Sequence, residues 1–288
     1  MQVNKRQLSH SQNFLNHPEF IKELVAKTNI NSGDLVVEIG PGKGVITGIL
    51  AAKAGRVQAI EVDKKLFIRL QNKFKHTRNV EIIKANFLNW PLPPVPYKVF
   101  SNPPFNLTTD IITKLLNSWQ SPQTAYLIIQ DKAAHRFIGD PVAQDTQMSI
   151  LLKPNFEIKI ITPINRRQLT PVPLVNPVLV MFKKRPHPLV KPPLYQLFKD
   201  FVVYGYNQWQ PTVLQAFAKV FSPKQCLFLA KKAHLHHARP RDLKINQWLI
   251  MFEAFLNFVP ETRKKLIQGA QGKLNHQQKK LQKWHRTR

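Results

Sequence analysis

The sequence predicts an α/β fold followed by a smaller all-α C-terminal domain, and three observations predict it. Between residues 35 and 130, compact β-type runs alternate with helical patterns. A glycine-rich turn, Gly40-Pro41-Gly42-Lys43-Gly44, joins the first of those strands to the helix after it. Beyond a proline-rich stretch at 185–193, helical patterns dominate.

The elements follow in order. Residues 1–17 read as a polar arm leading into a helix from about Pro18 to Thr28, with Glu19, Phe20, Leu24 and Val25 on a mixed amphipathic face. Leu35-Val36-Val37-Glu38-Ile39 is a strand, and the helix at 44–54 gathers Ile46, Ile49 and Leu50 on one side. Strands at 57–61, 80–84, 97–101 and 124–130 follow, with helices at 63–74 and 108–118. That alternation implies a parallel sheet with helices on both faces. Ile150–Pro154, Phe156–Ile161 and Val178–Phe182 read as closing strands, partly antiparallel. Arg185-Pro186-His187-Pro188 through Lys191-Pro192-Pro193 is a stiff linker. Helical patterns then run at 194–206, 210–220, 223–232 and 245–257. From Arg263 to Arg288 there are nine basic residues, no acid and many glutamines, the pattern of a tail unstructured when free. The expected domains are 1–184, carrying the site and its N-terminal arm; the 185–193 linker; a basic helical domain at 194–262; and the tail at 263–288.

Two constellations carry chemistry. The first is the glycine turn between a strand and a helix N-terminus, where the backbone can approach a ligand closely and present free N–H groups. Its spacing is G-x-G-x-G rather than the G-x-G-x-x-G of dinucleotide sites. The next strand ends at Glu61, whose carboxylate can accept from two ribose hydroxyls. The second is Ser101-Asn102-Pro103-Pro104-Phe105, following the apolar run Tyr97–Phe100. The Asn102 side-chain oxygen and the Pro103 carbonyl can both accept from one aromatic amine. Two prolines fix those acceptors, and Phe105 can stack on a flat base. Taken alone, the same residues also read as a proline-rich turn after a buried strand.

The composition points to a polyanion partner. Lys and Arg number 43 against 16 Asp and Glu, a formal charge of +27 over 288 residues. The excess is +17 over 181–288 and +10 over 1–180, so the helical part is the more basic. Cys226 is the single cysteine, which excludes an intrachain disulfide and a cysteine-based metal site. His234-x-His236-His237 reads as a basic surface cluster rather than a metal site, and no metal is expected. Met1–Arg6 has no apolar signal core, and no apolar run reaches about 18 residues. No membrane association is expected, and the cytoplasm is the expected location.

The chain resembles the ribosomal-RNA adenine N6-methyltransferases, which use S-adenosylmethionine. Four blocks carry the likeness: Ser11-Gln12-Asn13-Phe14-Leu15, Val37 to Gly44, Ala59-Ile60-Glu61-Val62-Asp63, and Ser101 to Asn106. Leu169-Thr170-Pro171-Val172-Pro173 through Leu179 is similar to the family's final core strands. The likeness runs from about residue 8 to 185 and more weakly to about 258. It implies a Rossmann-like class I S-adenosylmethionine-dependent methyltransferase sheet. It also implies that Asn13, Leu15, Gly40, Gly42, Glu61, Asn86 and Asn102 hold the cofactor, and that Asn102, Pro103 and Phe105 present a flipped adenine for transfer.

Within the family, Arg166-Arg167-Gln168-Leu169-Thr170-Pro171, Arg239-Pro240-Arg241-Asp242-Leu243 and Gln247-Trp248 resemble the Erm type more than the small-subunit rRNA dimethyltransferases of the KsgA type. The Erm type modifies 23S rRNA and gives resistance to macrolide, lincosamide and streptogramin B antibiotics. That resemblance implies 23S rRNA as the partner and a monomeric enzyme. Two positions depart from the pattern. Pro103 stands where the family carries Ile or Leu, as in DNA adenine methyltransferases, and leaves the carbonyl acceptors in place. Asn86 stands where the family usually carries Asp, which weakens the expected cofactor contact by about 1 kcal/mol. A DNA adenine methyltransferase and a non-catalytic nucleic-acid-binding factor on the same scaffold are the remaining readings.

Overall fold

A computed structural model describes residues 14, 15 and 17–285. The chain forms two compact units. The first holds the described residues up to 134 together with 156–185, and the second holds 135–155 with those from 186 onward.

The first unit is built on a seven-stranded sheet. Its strands are β2 (Leu35–Ile39), β3 (Arg56–Glu61), β4 (Val80–Lys84), β5 (Lys98–Ser101), β6 (Thr124–Gln130), β7 (Phe156–Pro163) and β9 (Pro177–Lys184), in the order β4-β3-β2-β5-β6-β9-β7. Strands β2 to β6 pair in parallel, whereas β9 runs antiparallel to both β6 and β7. A separate antiparallel ribbon joins β1 (Phe14–Leu15) to β8 (Leu169–Thr170), pairing Leu15 with Leu169. Helices α1 (Pro18–Ala26), α2 (Val45–Lys53), α3 (Lys64–Phe74) and α4 (Thr108–Leu116) accompany the sheet. β6 is buried along nearly its whole length, as its continuous apolar run requires of a strand covered on both faces. One core cluster joins Ile21 and Leu24 of α1, Leu50 of α2, and Val36, Val57, Phe100, Tyr126 and Leu179 of the sheet. Asp63 caps α3, its Oδ1 accepting from the N–H groups of Lys65 at 2.8 Å and Leu66 at 3.0 Å. From β2 the chain runs outward through β3 and β4 on one side and returns to β5 on the other, so the strand order reverses between β2 and β5. Open α/β sheets bind ligands at the carboxyl ends of the strands flanking such a reversal.

The second unit packs its helices around aromatic rings. They are α6 (Gln147–Leu152), α7 (Tyr195–Tyr206), α8 (Val213–Ala216), α9 (Pro223–Lys232), α10 (Ile245–Phe258), α11 (Glu261–Lys264) and α12 (Ala270–His285), after α5 (Asp131–Ile138), which continues from β6. Phe201 lies at the centre, its ring 4.6 Å from that of Phe217, 5.1 Å from Phe255, 5.5 Å from Phe252 and 6.1 Å from Trp248.

Several elements differ from the sequence expectation. Ile150–Pro154 is not a strand: Gln147–Leu152 is a helix started by a capping box. Thr146 Oγ1 accepts from the Ser149 N–H at 3.1 Å, and Ser149 Oγ accepts from the Thr146 N–H at 3.0 Å. An apolar run this short fits a buried helix as well as a strand, and the cap decides between them. Ile150 sits in the aromatic cluster, and the Tyr195 hydroxyl donates to the Leu151 carbonyl at 2.7 Å. The first unit is therefore not the continuous stretch 1–184, because 135–155 packs with the C-terminal helices. The helix expected over 210–220 is confined to Val213–Ala216. Residues 270–285, expected as an unstructured tail, form α12. Its start is fastened by Asp200 of α7, whose Oδ2 accepts from the Gly269 N–H at 2.9 Å and Oδ1 from the Gln271 N–H at 3.0 Å. Unsatisfied N–H groups at a helix N-terminus attract a carboxylate, and Asp200 is buried there.

Candidate active site

The glycine turn follows β2 directly. Gly40, Gly42 and Gly44 have φ values of 69°, 56° and 72°, a region that L side chains disfavour. A Cβ at Gly44 would lie 2.6 Å from Leu70 Cδ2 and 2.8 Å from Phe74 Cε2, so α3 packs against that glycine. At Gly40 nothing lies within 4 Å of a Cβ built there, so the turn opens onto free space. Lys73 braces the turn from α3, its Nζ donating to the carbonyls of Lys43 at 2.9 Å and Gly44 at 3.1 Å.

Glu61 ends the neighbouring strand and faces the same turn. Its Oε2 accepts from the Gly42 N–H at 3.3 Å and its Oε1 from the Asp63 N–H at 2.8 Å. Burial raises its pKa, against the lowering effect of those backbone bonds. Each oxygen keeps a second lone pair for a ligand hydroxyl.

Asn86 lies two residues beyond Lys84, which pairs with Glu61 across β3 and β4. Its Oδ1 accepts from the Leu88 N–H at 3.0 Å, so the side chain shapes the turn that follows β4. Lys114 of α4 pins the same turn: Nζ donates to the carbonyls of Phe87, at 2.6 Å, and Trp90, and stands 5.0 Å from the Phe87 ring centroid.

Asn102 emerges from β5. Ser101 Oγ donates to the Ile39 carbonyl at 2.6 Å, tying the end of β5 to the end of β2. This bond sets the position of Asn102 against Gly40. Asn102 Oδ1 and the Pro103 ring are buried, Phe105 is half-buried, and a 3₁₀ turn over Phe105–Leu107 leads into α4. Phe105 packs on the core cluster that holds Leu15 and Leu169. The carboxyl edge therefore gathers Gly40, Gly42, Glu61, Asn86, Asn102, Pro103 and Phe105. Leu15 is a buried core residue on the small ribbon, and Asn13 lies outside the described residues.

The sequence reading missed Glu38, Lys73, Ser101 and Lys114. Glu38 had a visible signal, a lone acid inside an apolar strand. It is buried beneath the turn, its Oε2 accepting from Thr47 Oγ1 at 2.6 Å. Burial pushes its pKa up to about 8, with Glu61 adding to the rise and the Thr47 bond opposing it. An exposed glutamate loses its proton near 4.5, whereas folded Glu38 keeps it to about 8. Between those values the unfolded state binds fewer protons, so this group's contribution to stability falls as pH rises. Glu38→Gln removes that slope. Urea midpoints at pH 5.5 and pH 8 should show the variant gaining on the parent at the higher pH; parallel midpoints would refute a protonated Glu38.

Elsewhere, His234, His236 and His237 are exposed on the second unit. No group of three metal-ligating side chains occurs among the described residues, and none of their helices is long and apolar enough to cross a membrane.

Comparison with known proteins agrees with this geometry. A family model described as ribosomal RNA adenine dimethylase matches residues 3–256. A protein of Limosilactobacillus reuteri named rRNA adenine N-6-methyltransferase is 30% identical over 258 residues, covering 89% of this chain and 99% of that protein. Ribosomal RNA small subunit methyltransferase A of Acaryochloris marina is 26% identical over 257 residues, covering 85% and 95%. Among solved structures, the 23S rRNA methyltransferase ErmE matches with a TM-score of 0.78 at 24% identity, over 85% of this chain and 100% of that one. The strand order and the helical second unit are those of the Rossmann-like methyltransferase fold expected from the sequence.

Proposed function

The chain belongs to the ribosomal RNA adenine dimethylase family, and on that premise we propose that it transfers a methyl group from S-adenosylmethionine to N6 of one adenine in 23S rRNA. The observation that carries this reading is the meeting of the glycine turn, Glu61 and the Asn102–Phe105 step at the point where the strand order reverses. The residues fit the cofactor: the space over Gly40 is open and a carboxylate stands beside it.

S-adenosylmethionine, when bound, supplies a methyl carbon already activated by its sulfonium. Gly40 would lie toward its methionine part, where the resemblance also assigns Asn13; Glu61 would accept from the ribose hydroxyls and Asn86 from the adenine amine. Leu15, which the resemblance also assigns to the cofactor, is a buried residue of the core cluster on which Phe105 packs. Phe105 supports the extruded target base. Asn102 Oδ1 and the Pro103 carbonyl accept from its N6 amine, turning the lone pair toward the methyl carbon. The same acceptors would stabilise the positive charge that develops on that nitrogen as it takes the methyl group, and water would take its proton. Positioning supplies most of the rate, and no general base is needed. The basic second unit grips the RNA backbone. The enzyme acts as a monomer in the cytoplasm, and its product confers macrolide–lincosamide–streptogramin B resistance.

The segments Arg166–Pro171 and Arg239–Leu243 favour 23S rRNA, through their likeness to the Erm type. The relative from Acaryochloris marina supports a second reading, methylation of small-subunit rRNA. Mass spectrometry of both rRNAs from cells with and without the chain, paired with erythromycin susceptibility, separates them. The first reading expects N6-methyladenine in 23S rRNA and raised resistance. A new methyl group confined to 16S rRNA would establish the second.

A further inference from the structure

The loop between β8 and β9 carries an apolar tip that the mechanism above leaves unused. Leu174 is 96% exposed and Val172 54% exposed, while Pro173 between them is buried and holds the loop to the body. A single exposed apolar side chain is ordinary, and Trp119 and Trp209 are also exposed; what marks this tip is that two apolar side chains share one short loop and where that loop stands. Both ends of this loop lie at the rim of the site. It leaves from Leu169, in the core cluster on which Phe105 packs. It returns at Pro177, opposite Gln130 at the end of β6, and the Asp131 N–H donates to the Asn176 carbonyl at 2.9 Å. Since Ser101 pairs with Leu127, Gln130 lies farther along toward the edge where Asn102 emerges. The residues just before the ribbon, Arg166 and Arg167, are exposed on a 3₁₀ turn capped by Asn165, and Lys132 is exposed just after β6. An apolar tip between cations suits a strand of RNA: bases for the tip, phosphates for the rim.

We propose that Leu174, supported by Val172, is a wedge that enters the RNA base stack beside the target adenine and holds open the gap left when that base is drawn toward Asn102. The proposal rests on the RNA methyl-transfer reading above. Extruding a base costs its stacking, and an apolar side chain in the vacated step restores part of it. Leu174 is thus a positioning residue, acting on the RNA rather than on the reacting nitrogen.

The test uses the full chain and two RNAs. One is a 23S rRNA fragment that contains the adenine identified by the mass spectrometry above. The other is the same fragment with abasic nucleotides flanking the target adenine, which removes the stack from which the base is drawn. Leu174→Ser should lower kcat on the native fragment by about tenfold and on the abasic one by less than about twofold, with Kd for RNA changed less than about threefold. Leu174→Met should restore the rate. With 2-aminopurine at the target position, the fluorescence rise on binding should shrink in Leu174→Ser and return in Leu174→Met. Equal losses on both fragments, no loss on either, or a loss confined to RNA affinity would overturn the wedge. So would a wild-type dimer that Leu174→Ser dissolves. If the wild-type chain methylates neither fragment, the 23S reading fails, and the same variants are compared on a small-subunit rRNA fragment and its abasic counterpart; methylation of neither RNA class overturns both the methyl-transfer reading and the wedge.

Discussion

Asn102→Ala should abolish methyl transfer while leaving RNA affinity nearly unchanged. Asn102 stands where the ends of β2 and β5 are tied by the Ser101–Ile39 bond, so its Oδ1 has a fixed place at the edge that also holds Glu61 and the glycine turn. On the proposed mechanism, truncation removes one of two acceptors for the amine and frees the nitrogen to rotate out of line. Where positioning supplies the rate, kcat should fall by at least about a hundredfold, or ~2.7 kcal/mol of barrier. On the same reading RNA affinity comes from the basic surface, so it should change less than about twofold. Single-turnover transfer of labelled methyl, beside a filter-binding isotherm, measures both. A variant with parental kcat would remove Asn102 from the mechanism.

The largest expected effect on stability is in the second unit. Phe201 makes ring contacts with Phe217, Phe221, Trp248, Phe252 and Phe255, and Phe201→Ala empties the middle of that cluster. Truncating a buried phenylalanine costs about 3–5 kcal/mol, through lost transfer free energy plus the cavity left behind. Near Gly205, a Cβ would already meet Phe217 Cε2 at 2.6 Å, so the surroundings are tightly packed. Trp248, 6.1 Å from Phe201, contributes to the emission that follows the transition. Guanidinium unfolding of both proteins should show the shift, and a loss below about 1 kcal/mol would mean that the rings close over the hole.

The first unit was largely legible in the sequence because its signals are local. A β-type run, a glycine turn and an amphipathic helix each announce themselves within ten or so residues, and strands β2 to β6 fall where the pattern put them. Asn102 and Glu61 could be found because a strand end fixes where a side chain projects. Ser101, Lys73 and Lys114 were hidden because each acts on the backbone of a segment distant in sequence, through bonds to Ile39, Gly44 and Phe87. The Ile150 run was ambiguous in periodicity, and its capping box held the deciding information. Asp200 shows the same limit: its grip on Gly269 and Gln271 spans about seventy residues, so the charge-rich end of the chain read as unstructured.

The excursion of 135–155 into the second unit sets how this protein can be divided. The helical part is not a terminal appendage, because Ile150 completes its aromatic core and the Tyr195 hydroxyl bonds to Leu151. A fragment beginning at 186 would lack a piece of its own interior. Grafting specificity between relatives therefore means moving both segments together, and a crossover placed only at the proline stretch would produce chimaeras with mismatched halves.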